Sequence, residues 1–491
     1  MVERRHTRRP GFFEKQYICR NIGGFYSNFN VTGKFGGSVR ITPGNLSHSL
    51  RAWLEHMDFW LVYNFYRVDD SIEDEEADGS NFEVRPVTKL SFDSVVEFQT
   101  IESFDSGTLE WLNDLRPPMN TENGALWKVY VFDSQNDGKQ YMTFVCDHAL
   151  LDGMCGAEFH KTMPKYLNQK WDETEPLINI FDYELDKHLL GDTILGPREL
   201  MSDLFQLSYW QTATYYLTKW AKIYLPQVAS EYLGLQETID PPVFLGSTIE
   251  KDTRSKFKMF NLTPDQLKIL RGVCKRYNLT LTPVVHTIAL YTLENTLIKT
   301  VSKTGNQPSS CTCIAVNGRK HIPQTKTQGF IYGCLVSATV HNDPPLPLAL
   351  STGNKTNNIN DIMPLLLPRM NQYLNQIIDN QKSLLSFKQY GGFGALTNAW
   401  KAYKAIPGTK QRYTLLNSNL GFIDPGTRPE SHFILEDSFF ASSTCLKYHV
   451  ITNFTSTAIG GLSVVIAYLP EYDLLIDDFV FQYKESLLAL R

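Results

Sequence analysis

The chain has 491 residues, of which 42% are hydrophobic and 20% charged, so it can bury a substantial core and lacks the composition of a disordered protein. This length exceeds what one compact core usually accommodates, and two domains are expected. The formal net charge of −5 predicts no nucleic-acid partner, and no apolar run approaches the roughly 20 residues that span a bilayer.

Eight cysteines are dispersed along the chain without a Cys-x-x-Cys pair. This distribution favours reduced thiols in an intracellular protein over a disulfide framework. The basic N-terminus, MVERRHTRR, lacks the apolar segment of a signal peptide. The histidines are scattered without the spacing of metal ligands, so we expect no metal site.

The first part of the chain mixes helix and strand signals. Residues 21–35 are rich in glycine, asparagine and aromatics, which is typical of a loop that passes into a short strand. Apolar residues in 46–57 are spaced for one face of a helix. The aromatic and β-branched run at 59–68 favours a strand, and the acidic residues 69–78 favour a solvated surface loop.

A β-hairpin is predicted next. Residues 126–132 and 141–146 are apolar runs that are too short for helices. They flank Asn136-Asp137-Gly138, which supplies the positive φ of a tight turn. Because hairpin pairing fixes the register of the second strand, a side chain at its end is held in a defined position.

The second strand of this hairpin ends near His148. Asp152 and Gly153 follow, where the strand should turn into a helix from about residue 154 to 167. An imidazole beside a carboxylate and a glycine suits proton transfer, although most isolated histidines are hydrogen-bonded core or surface residues. The same spacing recurs at His188 and Asp192 without a preceding strand, so the context favours His148.

The strand signal is weakest in residues 172–226, which we interpret as a connection between domains. The expected division is an N-terminal domain at 1–190, a connecting segment at 191–230 and a C-terminal domain at 231–491. Residues 204–225 form an aromatic helical window. Such a window fits either a helix buried between the domains or a helix on a membrane surface. We favour the buried helix, because helices at a membrane interface usually carry more Lys and Arg than the two lysines here.

The second half again alternates helices and strands. Thr263-Pro264, with Gln266 three residues after the threonine, predicts a capped helix start, and Thr282-Pro283 predicts a second one. Further strands are predicted at 256–262, 311–316, 330–340, 414–422, 448–454 and 462–468, and helices at 361–385 and 475–490. This mixture predicts an α/β protein with mixed sheets rather than a doubly wound parallel sheet.

These residues suit acyl transfer. A base at His148 could take a proton from a hydroxyl or amine that attacks an acyl group, and the chain has no GxSxG nucleophile motif. Cys146 and Cys155 are interpreted as buried structural thiols. Ser418 and Asn419, beside a glycine, could donate hydrogen bonds to an oxyanion, or could simply form a polar turn with a bulge.

Three motifs in this order resemble a known family. HALLDG after a strand, NGR after CTCIAV, and the later SNLG resemble the yeast alcohol O-acetyltransferases. This family lies within the acyl-CoA-dependent acyltransferases with an HxxxD motif, which include chloramphenicol acetyltransferase. RNIG and FYSN near the start also resemble it. The resemblance implies a two-domain, chloramphenicol acetyltransferase-like α/β fold with a tunnel at the domain interface.

The resemblance also implies roles for individual residues. His148 would be the general base of a direct transfer without an acyl-enzyme. Asp152 would turn away from the reaction and pair with Arg319, which stabilises the loop. Gly153 would let the cofactor arm pass close to the backbone. Ser418 and Asn419 would lie near the reacting carbonyl.

The implied reaction moves an acetyl group from acetyl-CoA, the co-substrate, to an alcohol and gives an acetate ester. Two alternatives stay open: N-acetylation of a lipid-like, sphingoid-type amine, and a catalytically silent lipid-binding relative. The resemblance implies a small-molecule alcohol or amine partner and no metal. We expect a monomer that is cytoplasmic or peripherally bound to the endoplasmic reticulum or lipid droplets.

Overall fold

We describe the protein from a computed structural model. The described residues are 6–25, 28–57, 60–190, 196, 205–224, 243–250, 254–301, 308–322, 330–346, 359–388, 398–444 and 448–491. Asp192, Cys445 and much of the expected connecting segment 191–230 lie outside these ranges.

The strands are β1 (Phe29–Gly36), β2 (Tyr63–Arg67), β3 (Phe82–Pro86), β4 (Lys89–Ser91), β5 (Val96–Ile101), β6 (Trp127–Ser134), β7 (Gln140–Cys146), β8 (Asn179–Asp182), β9 (Lys256–Leu262), β10 (Ser310–Asn317), β11 (Val336–Asp343), β12 (Tyr413–Phe422), β13 (Ile434–Ser442), β14 (Tyr448–Thr457) and β15 (Gly461–Tyr468).

The helices are α1 (Phe12–Ile22), α2 (Pro43–His56), α3 (Asp74–Ala77), α4 (Phe92–Val95), α5 (Ser106–Asp114), α6 (Gly153–Gln169), α7 (Tyr183–Asp186), α8 (Tyr209–Tyr224), α9 (Pro264–Arg276), α10 (Leu281–Leu293), α11 (Lys299–Val301), α12 (Ile359–Ser383), α13 (Leu385–Lys388), α14 (Ala399–Lys404) and α15 (Ile476–Ala489).

Two large mixed sheets organise the fold. The first has the strand order β13-β1-β7-β6-β5, antiparallel except for the parallel pair β5 and β6. The second has the order β11-β10-β12-β14-β15-β9, with β10, β12 and β14 parallel. The predicted α/β class with mixed sheets is therefore confirmed.

The predicted hairpin is formed by β6 and β7. The strands pair antiparallel, with Trp127 opposite Cys146, and Gly138 in the turn has a φ of 66°. Every residue of β7 is buried, because one face of the strand packs on the N-terminal core and the other faces the second sheet. Burial on both faces explains why this strand is a continuous apolar run rather than an alternating one.

Strand β13 joins the two halves of the chain. It lies in the second half of the sequence, yet it pairs antiparallel with β1 at the edge of the first sheet. Thr455 of β14 donates a hydrogen bond of 2.6 Å to the carbonyl of Ser438 in β13. The expected division at 1–190 and 231–491 stays a prediction, and one strand of the later segment lies in the N-terminal sheet.

An apolar cluster fills the space between the large sheets. Tyr141 and Val145 of β7 and Phe439 of β13 pack there with Ile451 of β14 and Val465 of β15. Burial of a large apolar side chain contributes roughly 1.5–3 kcal/mol. The two sheets are therefore held together by a shared core.

The two predicted helix starts differ. In α9, the Thr263 hydroxyl accepts a hydrogen bond from the Gln266 amide and the Gln266 side chain accepts one from the Thr263 amide, as predicted. Helix α10 instead begins at Leu281, and its preceding residue Thr280 makes no side-chain cap. The prediction of a cap at Thr282 is wrong, because the Thr282 hydroxyl accepts a hydrogen bond from Asn419 at 3.2 Å.

Two local predictions need correction. Helix α1 lies largely between the expected basic lead and the expected loop, where no element was predicted. The predicted strand at 59–68 begins only at Tyr63, after a 3₁₀ turn at Trp60–Val62. The acidic stretch contains the short helix α3, in which Asp74 pairs with Arg67 at 2.6 Å. The residues of a short apolar or charged run do not by themselves show whether the run forms a helix, a strand or a loop.

Helix α8 is not buried between domains. The fractional exposures of Tyr209, Trp210 and Leu217 are 96%, 84% and 67%. The favoured interpretation of the aromatic window is therefore wrong for these side chains, and α8 carries an exposed aromatic face. Among helices in the described ranges, none is long and apolar enough to cross a bilayer.

We predict that two hairpin glycines differ in their sensitivity to alanine. Gly138 and Gly461 have φ of 66° and 81°, but a Cβ at Gly138 would meet no atom within 4 Å. At Gly461 it would lie 2.1 Å from the Leu262 carbonyl oxygen. Gly138→Ala should cost about 1–2 kcal/mol for the left-handed backbone, and Gly461→Ala more. Urea unfolding measures both, and equal costs would contradict the steric argument.

Candidate active site between the two sheets

A cavity of about 170 Å³ lies between the two large sheets. It is lined by His148, Asp152 and Gly153 from the end of β7 and the start of α6, and by Ser418 and Asn419 of β12. The structure therefore brings together side chains that are about 270 residues apart in the sequence. Arg319 lies directly behind Asp152, which it contacts.

The loop after β7 is held by its own hydrogen bonds. The Asp147 amide donates to the Leu126 carbonyl at 2.8 Å, and the Asp147 carboxylate accepts from the Ala149 amide at 2.7 Å. The Asn21 side-chain amide of α1 donates to the same carboxylate. These contacts place the next side chain, His148, at the wall of the cavity.

His148 is fixed by a hydrogen bond and by two aromatic rings. Its Nδ1 lies 2.9 Å from the Leu151 carbonyl oxygen, so Nδ1 carries the proton of the neutral ring and Nε2 carries the lone pair. The Tyr17 ring stacks on the imidazole at 4.6 Å and 26°, and the Phe29 ring lies at 4.8 Å and 53°. The ring is half-buried and its accessible part faces the cavity.

The surroundings of His148 favour the neutral imidazole. Burial is the main cause that lowers its pKa to about 4, and the Arg20 cation acts in the same direction. The Asp152 carboxylate opposes this shift. Since the neutral form is the one that accepts a proton, His148 is a competent base from mildly acidic pH upward.

Asp152 and Arg319 form a buried bidentate ion pair. The Arg319 NH2 group donates to Oδ1 at 2.8 Å and the NH1 group donates to Oδ2 at 2.9 Å. Burial opposes ionisation of Asp152, but the charge and hydrogen bonds of Arg319 outweigh it and hold the pKa of Asp152 below its usual value. The Asp152 carboxylate also accepts from the Cys155 amide and so caps α6.

Arg319 also orders the segment before β11. Its Nε donates to the Ile331 carbonyl and its NH2 group donates to the Gly333 carbonyl, both at 2.8 Å. The guanidinium lies 4.6 Å from the Phe330 ring centroid. The Leu335 amide donates to Asp152 at 2.8 Å. The ion pair therefore ties the histidine loop to the second sheet.

Gly153 lies against the cavity wall. A Cβ at this position would lie 2.7 Å from Leu420 Cδ2 and 3.2 Å from Phe440 Cζ. Both neighbours line the cavity. A side chain at 153 would therefore displace the wall of the cavity, and the expected role of Gly153 toward a cofactor arm stays a prediction.

Ser418 and Asn419 sit where the pairing of β12 with β14 becomes irregular. The Asn419 amide nitrogen donates to Thr282 at 3.2 Å, and its oxygen accepts from the Gly421 amide at 2.8 Å. Gly421 has a φ of 81°, which favours glycine. The structure thus contains the bulge that was one interpretation of this stretch, and the bulge places both side chains at the cavity.

Helix α1 contributes cavity residues that the sequence interpretation missed. Phe13, Gln16, Tyr17 and Arg20 line the cavity at the i, i+3, i+4, i+7 spacing of one helical face. That spacing was a usable signal, because these four residues fall on one side of a helical wheel.

The seven cysteines in the described ranges are buried. Burial raises the pKa of Cys155 to about 12 and raises that of Cys146 well above its usual value, so both remain thiols. Among the described side chains, no group of three or more His, Cys, Asp and Glu is arranged to hold a metal ion.

A family model described as alcohol acetyltransferase matches residues 9–483, which is nearly the whole chain. The chain belongs to the alcohol acetyltransferase family. The predicted family resemblance is therefore confirmed, and the protein is an acyltransferase by family. A comparison with proteins of curated description found no match.

Solved structures with low sequence identity share the fold of this chain. TRI3 trichothecene 15-O-acetyltransferase from Fusarium sporotrichioides is 11% identical with a TM-score of 0.67, over 99% of this chain and 96% of that chain. The first condensation domain of the CDA synthetase is 12% identical with a TM-score of 0.55, over 99% and 96%. This alcohol acetyltransferase family member therefore has the two-lobe, chloramphenicol acetyltransferase-like fold.

We predict that Asp152→Asn lowers stability as well as activity. The substitution leaves a buried guanidinium without its carboxylate, which costs about 3–5 kcal/mol of unfolding free energy. Because the pKa of Asp152 is lowered in the folded state, its stabilisation is present above the unfolded pKa and is lost on acidification. Urea unfolding at pH 7 measures the loss.

A matched control is Glu184→Gln, which removes the exposed ion pair of Glu184 with Lys187. That change should cost less than about 1 kcal/mol. An Asp152→Asn variant with native stability and reduced turnover would contradict the structural role of the pair.

Proposed function

We propose that the protein transfers the acetyl group of acetyl-CoA directly to an alcohol, with His148 as the general base. The observation that carries the proposal is the tautomer and environment of His148. Its Nδ1 donates to Leu151, and the ring borders the same cavity as Ser418. A neutral imidazole with its lone pair on Nε2 can accept the proton of a hydroxyl bound in that cavity.

In the proposed reaction, His148 Nε2 takes the hydroxyl proton as the alcohol oxygen attacks the thioester carbonyl. The new C–O bond forms, the C–S bond breaks, and the imidazolium returns the proton to the leaving thiolate. The acyl-CoA supplies only the acetyl group. Ser418 is the proposed oxyanion donor, because the Asn419 amide is already engaged with Thr282 and Gly421.

The cavity residues fit a neutral thioester. Leu420 and Phe440 supply apolar walls, while Ser418 and Asn419 supply polar groups. The Asp152 carboxylate, which lines the cavity, is compensated by Arg319 and does not present an unbalanced charge to the acyl group. This combination supports an acyl group and a small or slender acceptor in the 170 Å³ cavity.

The test is to offer purified protein acetyl-CoA with medium-chain alcohols, sterols and long-chain amino alcohols, and to follow release of free CoA. We expect CoA release and an acetate ester with an alcohol. Amide formation with the amino alcohols would replace the proposal by N-acetylation of a lipid-like amine. No CoA release with any acceptor would favour a silent lipid-binding relative.

We predict that His148→Ala lowers kcat by about two to four decades, because the attacking hydroxyl loses its base. Circular dichroism checks that the variant is folded. The control is His188→Ala, which alters the second histidine of the same spacing and lies on the surface. Near-native turnover of folded His148→Ala protein would rule out the proposed base.

We also propose peripheral association with the surface of the endoplasmic reticulum or lipid droplets through α8. Tyr209, Trp210, Tyr216, Leu217 and Trp220 are all exposed on this helix. Tyr and Trp are the residues that favour the boundary between water and lipid. The alternative of a purely cytoplasmic monomer leaves this face in water.

We predict that Trp210→Ser with Leu217→Ser and Trp220→Ser weakens binding to phospholipid vesicles by at least about tenfold, because the buried apolar area is lost. Co-sedimentation measures the binding. The control replaces Ile178 and Leu474, which are 82% and 97% exposed elsewhere, by serine. Equal binding of the two variants would contradict the proposed role of α8.

A further inference from the structure

Helix α1 presents a polar and aromatic face to the base. Of its cavity-lining residues, Tyr17 contacts the His148 ring directly. Arg20, one turn further along α1, is 6% exposed and also borders the cavity. A buried arginine beside a catalytic imidazole needs a physical account, because burial of its charge is costly.

The Tyr17 ring links Arg20 to His148. The Arg20 guanidinium lies 4.7 Å from the Tyr17 ring centroid, and that ring stacks on the imidazole at 4.6 Å. The guanidinium also lies 5.6 Å from the Tyr403 ring centroid in α14. Contacts between a guanidinium and aromatic faces are attractive, so Arg20 is fixed in place by two rings.

The imidazole itself is held between two elements. Tyr17 belongs to α1 and Phe29 belongs to β1, and their rings contact His148 at different inclinations. The Leu151 carbonyl fixes Nδ1. Rotation of the imidazole out of this position would break the hydrogen bond and the stacking together.

We propose that Tyr17 and Arg20 are positioning residues for His148: the Tyr17 ring fixes the plane of the imidazole, and the Arg20 guanidinium holds that ring in place and disfavours a positive charge on the imidazole. This inference rests on the proposed function, in which neutral His148 accepts the hydroxyl proton. A fixed cation raises the free energy of a nearby imidazolium and leaves the neutral ring unaffected.

The Asp152 carboxylate opposes the effect of Arg20 and acts more strongly on His148, so burial is the main cause that keeps the ring neutral. Asp152, at the start of α6, is paired with Arg319 from the second lobe. Asp147, in the same loop, is buried, and burial raises its pKa to about 6. From the segment before β11, the Cys334 sulfur lies 3.3 Å from Nδ1. Arg20 is thus the α1 charge that acts directly on the base.

The experiment follows the titration of His148 itself. Protein labelled with ¹³C at the histidine ring is titrated by NMR, and the His148 signal is assigned by its loss in His148→Gln. Wild-type protein should show half-protonation near pH 4. Arg20→Met should move this midpoint upward by roughly one unit, because the opposing cation is removed.

Two further variants control this result. Arg20→Lys retains a cation and should return the midpoint toward that of the wild type. Lys15→Met removes a cation from α1 that does not border the cavity, and it should leave the midpoint unchanged. A wild-type midpoint in folded Arg20→Met would overturn the electrostatic role. Because NMR needs no turnover, this result is independent of whether the proposed reaction occurs.

The pH dependence of activity distinguishes a positioning role of Arg20 from direct contact with the substrate. For Arg20→Met, the acidic limb of kcat/KM should move to higher pH together with the NMR midpoint. A uniform loss at all pH values, dominated by KM, would instead make Arg20 a substrate contact and overturn the proposal.

The role of Tyr17 is tested with one variant that keeps the aromatic ring and one that removes it. Tyr17→Phe retains the stacked ring and should keep the His148 titration. Tyr17→Leu removes it and should lower kcat by roughly ten- to a hundredfold, because the base is misplaced. If Tyr17→Leu, folded by circular dichroism, retains native kcat, the positioning role of Tyr17 is wrong.

Discussion

The buried ion pair between Asp152 and Arg319 is the constraint on which the site depends. It joins two segments 167 residues apart and is completed by the Cys155 and Leu335 amides. A buried ion pair is a poor source of net stability, because desolvation consumes much of its Coulomb energy. The main contribution of this ion pair is to fix the relative positions of the segments that it joins. One guanidinium sets the histidine loop, the start of α6 and the approach to β11 relative to each other.

Different elements contribute different groups to the site, and the ion pair helps to fix their relative positions. The loop after β7 supplies His148, the proposed base, β12 supplies polar groups at its bulge, and α1 closes the cavity with an aromatic and cationic face. Burial favours the neutral form of His148, and the Asp152 carboxylate is compensated by Arg319 in the other lobe. A neutral imidazole and an ionised carboxylate are thereby maintained within four residues of one loop.

Much of the fold followed from local signals in the sequence. The β6 and β7 hairpin and the cap of α9 were predicted from turn and cap residues, because these depend on neighbours within a few positions. The family resemblance carried the motif residues that meet at the cavity. The long-range features had no such signal. The pairing of β13 with β1 spans about 400 residues, and Thr282 binds Asn419 instead of capping its own helix. The surroundings of α8 likewise depend on the whole fold.

The position of β13 has a consequence for synthesis on the ribosome. Its partner β1 is made about 400 residues before β13. Until β13 has been made, the β1 edge of the first sheet therefore stays open, and an open backbone edge can pair with other chains. This topology makes completion of the sheet a late event and gives chaperones that shield nascent chains a defined target at β1.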